Sequence, residues 1–161
     1  NIQGVEGSIV QMISHGVVAS ALFLCVGVVY DRHHTRVVKY YGGLVNVMPF
    51  FITMFLIFMF ANAALPGTCN FVGEVLLFTG IFQDNVFVTV VSALGIILSG
   101  VYSLWLLNRI AYGNLKMQNI DAFTDVSYRE FMVLSPLVFL TIFLGIYPSC
   151  IIDKLHLFQV Y

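Results

Sequence analysis

Residues 65–82 read LPGTCNFVGEVLLFTGIF, and two features of this stretch decide the fold. Pro66-Gly67 interrupts a long apolar run, because proline lacks a backbone N–H and its ring clashes with the preceding helical turn. Glu74 then stands inside the apolar segment that restarts, with no lysine or arginine within thirty positions on either side. A charge at the centre of a membrane helix costs at least about 2.5–3.5 kcal/mol on insertion scales. Such a carboxylate is expected to be paired, protonated or lined by water, and it is a candidate functional group. The restarted segment, 70–82, is too short to cross a hydrocarbon core of about 30 Å at about 1.5 Å per residue. Either the Thr68-Cys69-Asn70 end adds length, or this is a half-helix packed inside protein, as in transporters with discontinuous helices.

The rest of the chain supports a membrane setting. Sixty per cent of the 161 residues are hydrophobic and 9% are charged, where a soluble domain carries about 25% charged residues. Segments 7–30, 40–73, 85–108 and 131–152 contain no charge at all, and each exceeds the roughly 20 residues a spanning helix needs. A water-soluble chain of this size lacks the polar surface to cover four such runs. The reading is an all-α integral membrane protein forming one membrane domain over residues 1–161. It has about five transmembrane helices, one of them short or broken, roughly at 8–29, 49–65, 70–82, 86–107 and 131–152. Polar loops fall at 30–45 and 108–129. Counting 70–82 as a crossing leaves four basic residues on one side and three on the other, which does not orient the chain.

Ser8, Gln11 and His15 share one face of the first span, and a histidine there can relay protons near neutral pH, although a hydrogen-bonded structural role is the alternative. His33 and His34 fall in a polar loop and carry no specific metal-ligand spacing. Ser92, Ser99 and Ser103 share a face of the fourth span, where Gly95 and Gly100 suggest close helix packing. Cys25, Cys69 and Cys150 are scattered among apolar residues and read as small hydrophobes. No nucleotide fingerprint, iron–sulfur motif or nucleophile–base pattern occurs, so neither a bound cofactor nor a metal is expected. A net charge of −1 without a basic cluster sets nucleic-acid binding aside.

Three stretches together resemble a known family: GSIVQMISHGVVASALFLCVGVVYDRHHTR (7–36), PGTCNFVGEVLLFTG (66–80) and SGVYSLWLLNRIAYGNL (99–115). They look like the C-terminal half of an antiporter-like membrane-arm subunit of respiratory complex I, NADH:ubiquinone oxidoreductase, in its mitochondrial form. The resemblance implies a subunit of about fourteen helices built from two inverted repeats, of which this sequence supplies the last five. It implies a proton-translocating, non-redox component of the inner mitochondrial membrane. Flavin, iron–sulfur clusters and ubiquinone would then belong to other subunits. By likeness, Glu74 matches the family's acidic residue in the second broken helix, His15 its histidine on the central hydrophilic axis, and His34 the loop histidine of its motif. His33 lies outside that motif. The first repeat, with its glutamate and channel lysines, is missing from these residues. The expected partners are therefore other membrane-arm subunits, a chain or segment supplying the N-terminal half, and membrane lipids. The alternatives are a subunit of a multisubunit cation/proton antiporter and a structural fragment without active channel residues.

Overall fold

A computed structural model describes residues 1–115 and 124–159, leaving part of the 108–129 loop outside the described residues. These residues form six α-helices: α1 (Ile2–His33), α2 (Pro49–Asn62), α3 (Cys69–Asp84), α4 (Val86–Ala111), α5 (Tyr128–Ile146) and α6 (Ser149–Gln159). Of these, α1, α4 and α5 are long and apolar enough to cross a membrane. α1 has 32 residues and is therefore about 48 Å long. α2 and α3 have 14 and 16 residues, about 21 and 24 Å, so neither spans about 30 Å alone.

Their arrangement resolves the question posed by the Pro-Gly break. The N-terminus of α2 sits at the Arg32 end of α1, because Asp125 accepts from the Phe50 and Phe51 amides at 3.0 and 3.1 Å while Arg32 donates to the Asp125 carbonyl. α3 continues in the same direction, antiparallel to α1. Cys69 lies at Ser14, Gly73 at Gln11, and the Asn1 side chain donates to the Gly80 carbonyl at 2.8 Å. α2 and α3 are thus two halves of one broken crossing, and the five apolar segments make four passes. Gly67 takes φ 92° at the break, a left-handed conformation open to glycine at little cost. Thr68 donates its hydroxyl to the Leu65 carbonyl.

The α1–α3 contact is made by small residues. A Cβ on Gly80 would lie 2.6 Å from Gly4 Cα, and one on Gly73 would lie 2.9 Å from Gln11 Cα. Removing side chains at these points lets the two backbones approach and gain dispersion contacts, the usual device inside a bilayer where apolar burial gives little drive. The expected tight packing at Gly95 and Gly100 is not found among the described residues: nothing lies within 4 Å of a Cβ at either. α4 exposes Val90, Leu94, Ile97, Leu98 and Val101 instead.

The largest apolar core lies nearer the Arg32 end, where Phe51, Phe55 and Phe58 of α2 pack with Ala21 and Cys25 of α1, Leu107 of α4 and Leu134 of α5. α5 opens with a capping box, Ser127 and Glu130 bonding each other's backbone amides. The expected last span, 131–152, is divided: α5 ends at Ile146 and α6 starts after Tyr147-Pro148, since proline removes the N–H that would continue the ladder. Gly145 of α5 seats directly on the break, where a Cβ would be 2.5 Å from the Thr68 carbonyl carbon.

Candidate functional site

Glu74 occupies the sixth position of α3 and is partly buried. Gly73 beside it faces α1, so the helix turns Glu74 about 100° away from that contact. Phe78, one turn further on, lines a cleft between α3 and α4 together with Thr89. Glu74 therefore lies on the edge of α3 that looks toward α4. Among the described residues no hydrogen bond or ion pair holds its carboxylate.

Tyr102 belongs to a polar cluster where α2 ends. Asn62, the last residue of α2, donates its side-chain amide to the Ser103 hydroxyl at 2.9 Å and to the Tyr102 hydroxyl at 3.2 Å. Ser99 donates to the Asn62 carbonyl at 3.3 Å and lies 3.4 Å from the Tyr102 oxygen. The last carbonyls of a helix lack intrahelical partners, and Ser99 satisfies one of them. The cluster thus solves a local problem of the broken helix, gathering Asn62, Ser99, Tyr102 and Ser103 where α2 ends. The serine face of α4 was visible in the sequence; Asn62 and Tyr102 were missed because neither belongs to a periodic pattern. Asn62, ten residues before the first helical turn of α3 ends, signals only as the last polar residue ahead of Pro66-Gly67.

The three residues singled out by sequence are not brought together. His15 follows Ser14, which lies level with Cys69 at the start of α3, whereas Glu74 follows Gly73 at the level of Gln11, so His15 sits near the break and Glu74 about five residues, roughly 8 Å, along α3 from it. The ring of His15 is exposed, however, and no bond joins it to Glu74 among the described residues. Gln11 of the same predicted polar face is turned inward against Gly73, and its side-chain oxygen is buried without a hydrogen bond, as is the Ser14 hydroxyl. His34 caps α1 in a left-handed conformation, φ 50°, 19 residues and about 28 Å along the helix from His15. It is exposed and meets the edge of the Tyr30 ring at 5.9 Å, while Arg36 lies over the same ring at 4.9 Å.

His33 differs from the solvated loop residue expected. α1 extends to it, its ring nitrogens are buried, and its ring packs 5.6 Å from Tyr41. Beside it Arg32 makes a clamp that sequence reading overlooked. Its guanidinium donates to both Glu130 oxygens at 2.9 and 2.7 Å and to the carbonyls of Val28, Thr124 and Asp125. The fork of five donors is used as only arginine can use it. Both residues lie outside the charge-free runs, and the Arg32 hydrogen bond holds the Glu130 carboxyl down at about 2.

A cleft of about 240 Å³ between α1, α2 and α4 links the two regions. Its walls are apolar, with Thr35 and Arg36 at one end and Asn62 and Tyr102 at the other. The arrangement can hold a proton on Glu74; among the described residues it contains no pairing suited to nucleophilic chemistry.

Comparison with known proteins agrees with this architecture. A family model described as NADH:quinone oxidoreductase/Mrp antiporter, transmembrane, matches residues 1–101. NADH-ubiquinone oxidoreductase chain 4 of Chondrus crispus is 52% identical over 160 residues, covering 99% of this chain and 32% of that protein. The chain 4 protein of Marchantia polymorpha is 53% identical over 156 residues, with 97% and 32% covered. NADH-quinone oxidoreductase subunit M of Rhodobacter capsulatus is 48% identical over 166 residues, with 100% and 32% covered. The chain therefore spans about a third of the length of these relatives. In the structure of respiratory complex I from Thermus thermophilus with bound NADH, one chain superposes with a TM-score of 0.88 at 24% identity, over 96% of this chain and 32% of that one, a likeness of fold.

Proposed function

The chain belongs to the NADH:quinone oxidoreductase/Mrp antiporter membrane family, and from that premise we propose that it is the C-terminal part of a proton-translocating membrane-arm subunit of respiratory complex I. It works in the inner mitochondrial membrane, where quinone reduction elsewhere in the assembly supplies the energy. The observation that carries this reading is Glu74: a partly buried carboxylate in a broken apolar helix, on the edge of α3 that looks toward α4 and unpaired by any described cation. Desolvation favours its neutral form and a polar neighbour its charged form, and a group poised between the two can load and release protons. A lysine on the N-terminal part of the subunit is the cation that would complete the pair. His15, exposed on α1 at the level of the break, faces outward from this bundle as a relay to that part. His34 sits at the charged end, where a loop relay would meet water.

Flavin, iron–sulfur clusters and ubiquinone are assigned to other subunits, and the chain's role in the enzyme is to move protons. The four-pass arrangement also orients it. Arg32, Arg36, Lys39, Arg109 and Arg129 all fall at the Arg32 end of the bundle, while Lys154 lies in α6 past the other end of α5. The positive-inside rule turns the Arg32 end to the matrix. A cation/proton antiporter is the second reading, since the family description covers both; identities of 48–53% to oxidoreductase subunits favour the first. Glu74→Gln tests it: in the assembled complex, quinone reduction should lose its coupled proton uptake. Normal pumping by an intact Glu74→Gln complex would overturn the reading, and sodium-dependent exchange without quinone reduction would point to the antiporter.

A further inference from the structure

We propose that the cleft between α1, α2 and α4 holds one acyl chain of an anionic phospholipid from the bilayer, with the headgroup phosphate on Arg36. Three stripes of side chains shape it. Phe51, Phe55 and Met59 recur every turn along α2 and form the floor, and Tyr102, Leu106 and Ile110 recur in the same way along α4 and form one wall. Leu22, Val26 and Val29 of α1 form the other. Among the described residues α1 and α4 each pack on α2 but hardly on one another, so a slot runs parallel to the helices and opens sideways past the half-exposed Val26. Apolar walls of this kind stay dry. Inward the slot ends where Asn62 of α2 reaches across to the Tyr102 oxygen at 3.2 Å. From Phe51 to Asn62 α2 rises about 16 Å, against about 15 Å for one leaflet of a hydrocarbon core about 30 Å thick. The slot is one leaflet deep.

The charges at its mouth fit an anion. Thr35 and Arg36 stand there, and Lys39 follows between two further lining residues, Val38 and Tyr41. The Arg36 guanidinium lies over the Tyr30 ring at 4.9 Å and makes no ion pair among the described residues. The described acids near this end are turned elsewhere: Glu130 holds Arg32, Asp125 holds the Phe50 and Phe51 amides, and Asp31 lines a different cleft between α1 and α5. Trp105 and Tyr112, both exposed near the end of α4, with Arg109 5.2 Å from the Trp105 ring centre, are the aromatic and basic anchors of a membrane–water interface. Basic pockets between membrane helices at such a level select anionic headgroups. A spanning helix from the N-terminal part of the subunit fits this slot poorly, because it needs a face about 30 Å long and the Asn62–Tyr102 bond closes the slot halfway. A single acyl chain needs only that half.

Photolabelling tests this. The assembled complex, purified into phosphatidylcholine nanodiscs, receives a small fraction of phosphatidylglycerol carrying a diazirine in one acyl chain, and the cross-linked peptides are sequenced. Label is expected on Val26, Leu106 or Ile110, displaced by unlabelled phosphatidylglycerol and not by phosphatidylcholine. Arg36→Gln should lower it roughly fivefold, the equivalent of about 1 kcal/mol for one basic residue at an anionic surface. Arg36→Lys should keep it. Val26→Trp puts a ring across the opening and should abolish the label, while Phe23→Trp, on the exposed outer face of α1, should leave it intact. Equal labelling by a phosphatidylcholine probe, or labelling indifferent to Arg36→Gln, would overturn the proposal. No label in the cleft would overturn it as well and give the slot to a segment of the subunit. None of these results bears on Glu74, whose proton role is read by pumping.

Discussion

Gly73→Ala is a one-methyl change beside the candidate carboxylate, and the structure sets its size. The new Cβ would lie 2.9 Å from the Cα and N of Gln11 and closer still to the Gln11 side-chain oxygen. Carbon atoms in contact prefer about 3.5–4.0 Å, so α1 and α3 must part by roughly half an ångström to 1 Å. The obstacle is backbone, which cannot swing aside as a side-chain tip can. Overpacking costs about 1–3 kcal/mol, and a backbone neighbour puts this case at about 3. Alanine returns about 1 kcal/mol of helix propensity, leaving a net loss of about 2. Gly95→Ala on α4 is the matched control. Nothing lies within 4 Å of its Cβ, so only the propensity gain of about 1 kcal/mol remains. Thermal inactivation and the steady-state amount of assembled complex, compared between the two variants, measure the difference. Equal tolerance of the two alanines would refute the claim that α1 and α3 touch through their backbones.

The Arg32 clamp gives two further expectations. Arg32→Ala strands Glu130 and three carbonyls and should destabilise the complex by about 3–5 kcal/mol, while Arg32→Lys should recover little because an ammonium cannot reproduce the two-pronged contact; protease accessibility of the 124–127 segment reads both. For pH, a depressed carboxyl contributes stability above its ordinary value and loses it as pH falls through the folded one. With Glu130 held at about 2 against an ordinary 4.5, the clamp should be complete above pH 4.5 and open only on approach to pH 2. Loosening of the segment already at pH 5 would contradict this.

What the sequence could disclose was what burial makes expensive. Glu74 stands out because a carboxylate in an apolar run is costly wherever it faces, and Pro66-Gly67 because no helix accommodates both cheaply. The family resemblance sharpened those two signals into a role. Close helix approach was misassigned, since glycine marks permission to pack and not the partner: Gly95 and Gly100 looked like the contact, while Gly73 and Gly80 make it. Pairing across the chain was also invisible. Arg32 and Glu130 are 98 positions apart, and nothing local about either selects the other. The same holds for Asn62, a lone amide at a helix end whose partners are fixed only once α4 crosses beside it. Gln11 and His15 are only about 40° apart around α1, but the α3 contact is centred on Gly7, Gln11 and Ser14, so Gln11 is packed and His15 is left exposed at its edge.

Gly145 seated on residues 67 and 68 gives the interruption between α2 and α3 a mechanical connection to the Arg32 end of the bundle. α5 runs as a strut from that seat to Glu130, 15 residues away and about 22 Å along the helix. Any reshaping of the interruption must push on Gly145, and the strut carries the displacement to the arginine at its other end. Pro136 is the one place within α5 where bending can absorb it. The exposed Pro66-Gly67 corner and the surface loop at Arg32 are thereby joined by one continuous helix.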